Sequence, residues 1–491
     1  MRITKIAPAT PFVGKPRINL ASLFGASPRK PFLLRIPVTG ERPIRYGAQG
    51  LPAGLVQKDN FILGSVTEAG NYEIVLTAEN RLGRAEKRVT LEISPSHVLL
   101  TPLLGFTTWN AFAERVTQKD VTQTANNIVK HGIAEYGYSY VNLDSGWQHE
   151  YGGDLDAIQP NPKFPNMKAM TDEVHSLGLK CGIYATPMLT AWGCPKEYDT
   201  VPGCTQGEPD IRFAKTMGGI GVIRKEKNNA RQWEAWGFDY LKYDWFPTDP
   251  VNAESMRQEL LKLNRDFGFC VTVRAMPEYV TYWSNYTNSY RSNPDCLGYW
   301  KNLLEIYGTY RGNENHLRRA EEKPMKKGHF FDLDMLDVGS CVFKDQENFF
   351  TEDEMVVAYS LRAFLASPIQ ISAPLDEVSD FELALYCNEE ILAINQDTSF
   401  AAPELVLNKT EGDAMLHAYE KPLEDGEYSY AFFNMGETEE TICLGLSAES
   451  DVRDLWAKES LGKHTELSLT LPRHTVRIVK SESRAKAVEA L

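Results

Sequence analysis

Between about residue 100 and residue 398 the sequence switches repeatedly between helical and strand periods, and no other feature restricts the fold as much. Helical spacing over 117–131, 166–177 and 253–267 alternates with short apolar runs. That is the βαβα order of a parallel sheet, and its length fits a single (β/α)8 TIM barrel. The clearest run is Gly237-Phe238-Asp239-Tyr240-Leu241-Lys242-Tyr243-Asp244, a buried strand with a carboxylate at its exit. A helical stretch over 228–236, stopped by Gly237, supplies the α before the β. Taken alone, Asp244 reads more simply as a helix cap or turn residue.

The other strand ends reverse that reading. Leu103-Leu104-Gly105-Phe106 runs into Thr108-Trp109-Asn110, and Tyr140-Val141-Asn142-Leu143 ends at Asp144. The run 179–183 ends at Tyr184, and 269–273 ends at Arg274. A weak sixth strand leads to Arg291 and Asp295, 328–331 leads to Asp332 and Asp334, and 368–372 makes the eighth. Carboxylates gathered with Lys, Arg, Tyr and Trp at the C-terminal ends of barrel strands describe a mouth built for binding and chemistry.

At 491 residues the chain exceeds one compact core, and its flanks read differently from its middle. Residues 1–27 look extended and irregular. Alternating runs between 31 and 93 predict a small β-sandwich, giving a first domain over 1–96. The barrel follows over 97–398. Alternation over 414–419, 428–433 and 475–479 predicts a second antiparallel β-sandwich over 399–491, ending in a polar tail from 481.

A net charge of -14 argues against nucleic acid, and no apolar run approaches the ~20 residues of a membrane span. No signal peptide is visible at the N-terminus, which favours the cytoplasm, with a periplasmic or secreted location possible if that end is processed. Nine histidines without ligand spacing suggest no metal. Cys181, Cys270 and Cys443 lie in apolar runs and read as core, whereas Cys194 and Cys204 flank a loop and could pair in an oxidising compartment.

Eight stretches in order resemble glycoside hydrolase family 27, the retaining α-galactosidases and α-N-acetylgalactosaminidases. They are Gly105-Phe106-Thr107-Thr108-Trp109-Asn110, the run from Gly137 to Asp144, Lys163-Phe164-Pro165-Asn166-Met167, and the run from Val174 to Lys180. The order continues with Tyr240-Leu241-Lys242-Tyr243-Asp244, the run from Tyr290 to Asp295, Asp332-Leu333-Asp334-Met335-Leu336, and Ile394-Asn395-Gln396-Asp397. The resemblance implies a barrel with a C-terminal β-sandwich, and the first module looks like the immunoglobulin-like domain of some bacterial members. It also implies a galactoside or oligosaccharide substrate and no cofactor; a homo-oligomer is possible.

By motif, Asp244 matches the nucleophile and Asp295 the general acid/base. Trp109, Asp144, Tyr184, Lys242, Arg291 and Asp334 match positions lining the sugar subsite. A retaining glycosidase needs two carboxylates about 5–5.5 Å apart. Lys242 shares a strand face with Asp244 and is expected to hold it ionised. Asp295 is expected to be protonated, helped by the nearby charge of Asp244 and by some burial.

The chain departs from the family pattern at the sugar. Ser145 stands where a second carboxylate usually follows Asp144, and Thr186 stands where an Asp is often found. The stretch after Asp244 is Trp245-Phe246, so the family's disulfide there cannot form, and Arg274 occupies a position that helps select the C2 substituent. These changes leave the chemistry intact and bear on specificity. α-D-Galactoside is the first expectation, with β-L-arabinopyranoside or α-N-acetylgalactosaminide next. A silent carbohydrate-binding relative is the rival, and the presence of both carboxylates argues against it.

Overall fold

A computed structural model describes residues 3–95, 98–187, 224–245, 248–272, 277–319, 326–339 and 349–486. Arg274, Cys194 and Cys204 therefore lie outside the described residues.

The barrel is built from β1 (Leu104–Thr107), β2 (Tyr140–Leu143), β3 (Lys180–Ala185), β4 (Tyr240–Asp244), β5 (Gly268–Thr272), β6 (Ser289–Tyr290), β7 (Phe330–Phe331) and β8 (Ile369–Ile371). All neighbours pair in parallel in the order β7-β6-β5-β4-β3-β2-β1-β8. The seam between β7 and β8 closes through one parallel bridge beyond the end of β7, where Leu336 pairs with Ile371. Its bonds are Leu336 N–H to Gln370 O (2.8 Å) and Ser372 N–H to Leu336 O (3.3 Å).

Side-chain alternation sorts each strand. In β4, Leu241 and Tyr243 join the apolar layer shared with the outer helices. Tyr240, Lys242 and Asp244 share the opposite face and point into the barrel. Tyr140 and Tyr240 fill the barrel floor edge-to-face at 6.1 Å, packed with Leu103 and Cys270. Facing glycines make the room: a Cβ at Gly182 would sit 2.1 Å from Asn142 Oδ1, and one at Gly268 2.8 Å from the Tyr240 ring.

The helices start and stop where local chemistry directs. Thr117 and Asp120 form a capping box on the helix Gln118–Lys130, and Asn166 caps Met167–Ser176. Gly237 ends Glu226–Trp236 in a left-handed conformation at φ 96°. The helix expected over 253–267 is instead Pro250–Leu261, because Asp249 caps it and Pro250 occupies its first turn. With Asp249 as the cap, Asp244 is not needed for that role.

The flanking modules are both β. Four strands (Leu23–Ala26, Gly83–Ile93, Gly70–Asn80, Arg45–Gln49) and three strands (Phe32–Arg35, Phe61–Gly64, Leu55–Lys58) enclose one core containing Ile36, Ile62, Leu76 and Leu91. The N-terminal stretch is less irregular than its composition suggests, since Leu23–Ala26 pairs in parallel with Thr90–Ile93. This module holds the barrel at several segments that lead into strands. Ser27 N–H bonds Asp266 before β5, Arg35 bonds Leu177 O before β3, and Lys327 before β7 reaches Glu92. Before β2, buried Glu135 accepts from Arg35 Nη2 (2.7 Å) and Val38 N–H (3.1 Å), and pairs with Arg42 (3.2 Å).

At the other end, six antiparallel strands between Glu404 and Ser481 form one sheet. One face, with Ala431, Phe433, Val476 and Ile478, extends the barrel core; the other folds over its own core of Phe432, Leu444 and Leu467. The buried helix Glu352–Phe364 lies in that shared core, and its Ser360 accepts from Trp456 Nε1 at 2.9 Å. One expectation fails here. Cys443 is exposed, because alternation turns Ile442 and Leu444 inward. The polar tail starts in contact with the sheet: Lys486 N–H bonds Gly445 O.

Candidate active site

The ends of β2, β4, β6 and β7 bring Asp144, Lys242, Asp244, Arg291, Asp295 and Asp334 into one mouth. On one side Lys242 Nζ donates to Asp144 Oδ2 at 2.8 Å. Asp144 is fixed further by Thr107 Oγ1 (3.4 Å) and by Ser145 N–H on Oδ1 (2.8 Å). Its own N–H donates to Thr108 Oγ1. On the other side Arg291 is buried and donates through Nη1 to both Asp295 Oδ1 (2.7 Å) and Asp334 Oδ2 (2.8 Å), and through Nε to Thr272 Oγ1 (2.5 Å). Opposite charges pull Lys242 and Arg291 each above its ordinary range, with Asp144 and Asp334 the largest upward influences respectively.

Asp244 lies between these pairs. Tyr184 Oη donates to its Oδ2 at 2.9 Å, while its Oδ1 is buried with no hydrogen-bond partner among the described residues. Burial raises the carboxyl from 3.8 to about 6, against the lowering influence of Lys242 and Arg291, and the charge of Asp295 adds to the rise. Lys242 thus favours the ionised carboxylate, as expected, without setting its titration alone. The ammonium spends its hydrogen bond on Asp144, and desolvation outweighs its field.

Asp295 departs from expectation. Its side chain is 62% exposed rather than partly buried; it stands on the loop beyond β6, at the rim rather than the floor. Trp109, half-buried, opens the short helix Trp109–Phe112 after β1. Ser145 and Thr186 are both buried.

Several supporting residues escaped the sequence reading. Asp334 adopts a left-handed backbone at φ 70°, unusual for a non-glycine. Buried Arg362 holds that turn, donating to the carbonyls of Leu333, Asp334 and Met335, and to Ala358. Asn110 Nδ2 binds Asp337 Oδ1 and Cys296 O. Burial pushes Asp337 up to about 8, and its Oδ2 has no partner among the described residues. A lone cation in the apolar run Val356 to Phe364, and a lone carboxyl between Leu336 and Val338, were the available signals.

Paired carboxylates and cations at the mouth of a parallel barrel are the equipment of a glycoside hydrolase. Residues 106–206 and 208–397 match the family described as Alpha galactosidase A, and 413–481 match its C-terminal beta sandwich domain. The chain is 28% identical over 412 residues to Alpha-galactosidase A of Cellvibrio japonicus, spanning 78% of this chain and 92% of that protein. A Bacteroides fragilis structure designated alpha-galactosidase/melibiase superposes with a TM-score of 0.81 at 26% identity, covering 96% of this chain and 98% of that one. A β-L-arabinopyranosidase from Geobacillus stearothermophilus shares the fold at a TM-score of 0.64 and 22% identity, over 78% of this chain and 97% of that one. The chain belongs to the Alpha galactosidase A family and is a glycoside hydrolase. No helix among the described residues is long and apolar enough to cross a membrane.

Proposed function

We propose that this enzyme is a retaining exo-glycosidase that releases terminal α-D-galactosyl residues through a covalent glycosyl-enzyme, with 97–398 as its catalytic unit. The observation that carries the reading is the buried Oδ1 of Asp244, which has no hydrogen-bond partner among the described residues, beside an Oδ2 held by Tyr184. That oxygen attacks the anomeric carbon while Asp295 gives its proton to the departing glycosidic oxygen. Water then enters, Asp295 takes its proton, and the sugar–Asp244 ester is hydrolysed with net retention. Asp144 and Lys242, with Asp334 and Arg291, supply acceptors and donors for ring hydroxyls, and Trp109 offers a stacking face. The names carried by the relatives support galactose as the sugar.

A second reading keeps the mechanism and changes the sugar. Ser145 and Thr186 present hydroxyls where carboxylates are usual, and the fold likeness to a β-L-arabinopyranosidase makes that sugar the runner-up. Arg274 at the C2 position keeps an N-acetylated sugar in the comparison. A panel of nitrophenyl glycosides separates these readings, with Asp244→Ala and Asp295→Ala alongside and NMR of the first-formed anomer. Turnover of the α-galactoside, lost in Asp244→Ala, with the α-anomer appearing first, is the expected result. Binding without turnover of any sugar would refute the enzymatic reading in favour of a silent relative.

A further inference from the structure

An exposed general acid needs its direction fixed by something other than packing, and the loop that carries Asp295 is tied at successive peptides. Cys296 N–H donates to Asp334 Oδ2 (2.8 Å), Asn110 Nδ2 reaches Cys296 O (3.3 Å), and Phe350 N–H binds Gly298 O (2.9 Å). Two of the remaining bonds come from a single side chain. Asn302 Nδ2 donates to Asp295 O at 2.9 Å, and Asn302 Oδ1 accepts from Leu297 N–H at 2.8 Å. Asn302 is buried in the first turn of the helix Trp300–Arg319, away from the sugar-binding groups.

We infer that Asn302 is a positioning residue for proton transfer: by bridging Asp295 O and Leu297 N–H it aims the exposed Asp295 carboxyl at the leaving oxygen. The inference rests on the acid/base assignment of Asp295. The bridge requires a donor and an acceptor on one planar group, which an amide supplies and a carboxylate does not. Arg291 by itself draws the carboxyl toward the buried Arg291–Asp334 pair, and the Asn302 bridge fixes the backbone that carries it. A misplacement of about 1 Å costs an oriented catalytic group on the order of 100-fold in rate.

The test compares leaving groups. Asn302→Leu, which keeps the volume and removes both bonds, is assayed on the phenyl and 2,4-dinitrophenyl glycosides of the sugar selected by the panel. Dinitrophenolate departs without protonation, so its turnover also reports that the protein is folded. Asn302→Leu is expected to lower kcat/KM on the phenyl glycoside by about 10- to 100-fold, and on the dinitrophenyl glycoside by less than about threefold. Asp295→Ala should show the same selectivity more strongly, by about 100-fold or more. Should the leucine variant not fold, Asn302→Asp, which retains the Leu297 bond and opposes a carboxylate to Asp295 O, carries the same comparison.

Equal losses on both substrates, or no loss on either, would overturn the inference while the selectivity of Asp295→Ala leaves the acid/base assignment standing. Absence of selectivity in Asp295→Ala itself would overturn that assignment, and the role of Asn302 with it.

Discussion

Replacing Asp244 by Asn should destroy turnover and, at neutral pH, steady the fold. Burial lifts this carboxyl from 3.8 to about 6 in the folded protein. Between those values the native state holds a proton that the unfolded chain has released, so folded stability falls as pH rises through the window. At about 1.4 kcal/mol per pH unit the full penalty is about 3 kcal/mol, reached above the folded value. An amide imitates the protonated carboxyl and does not titrate. The stability of Asp244→Asn relative to the parent should therefore grow by about 2 kcal/mol between about pH 4.5 and about pH 7.5. Any constant effect of the substitution cancels in this difference.

Urea unfolding followed by tryptophan fluorescence is the assay, because seven tryptophans among the described barrel residues, from Trp109 to Trp300, report on its unfolding. If the parent instead gains on the variant as pH rises, the fields of Lys242 and Arg291 exceed the desolvation of Asp244 and the reasoning is refuted.

The same carboxyl sets the acid side of catalysis. kcat/KM should fall about tenfold per pH unit below about 6, as the nucleophile takes up a proton, and a limb near 4 would contradict the burial argument. Arg362→Met should destabilise the protein by about 3–5 kcal/mol, since it strands the three carbonyls of the strained Asp334 turn; calorimetry gives the value. Gly182→Ala, whose new Cβ would meet Asn142 Oδ1 and the Tyr240 ring, should cost about 1–3 kcal/mol, and an unchanged melting temperature would show that the barrel floor relaxes around a methyl group.

The barrel was legible in sequence because each strand carries its own evidence: an apolar run, a polar exit and a preceding helix with a recognisable stop, such as Gly237. The charged side chains of the mouth were legible for the same reason, being fixed by their place at strand ends. Their partners were not. Alternation puts Lys242 and Asp244 on one face but does not say that the ammonium will bind Asp144, 98 residues away. Nor does it reveal that Asp295 stands in solvent, since the exposure of a loop residue depends on what other loops cover. Asn110 meeting Asp337 across 227 residues, or Arg362 beneath Asp334, is a product of closure of the barrel, which no local pattern encodes.

The first module is bolted to the end of the barrel where strands enter, through Glu135, Leu177, Asp266 and Lys327, while the carboxylates of the mouth sit where strands leave. In position it is a pedestal rather than a wall. Three contacts on Glu135 alone resist swivelling, so a surface that held the pedestal would hold the mouth facing outward, open to solution.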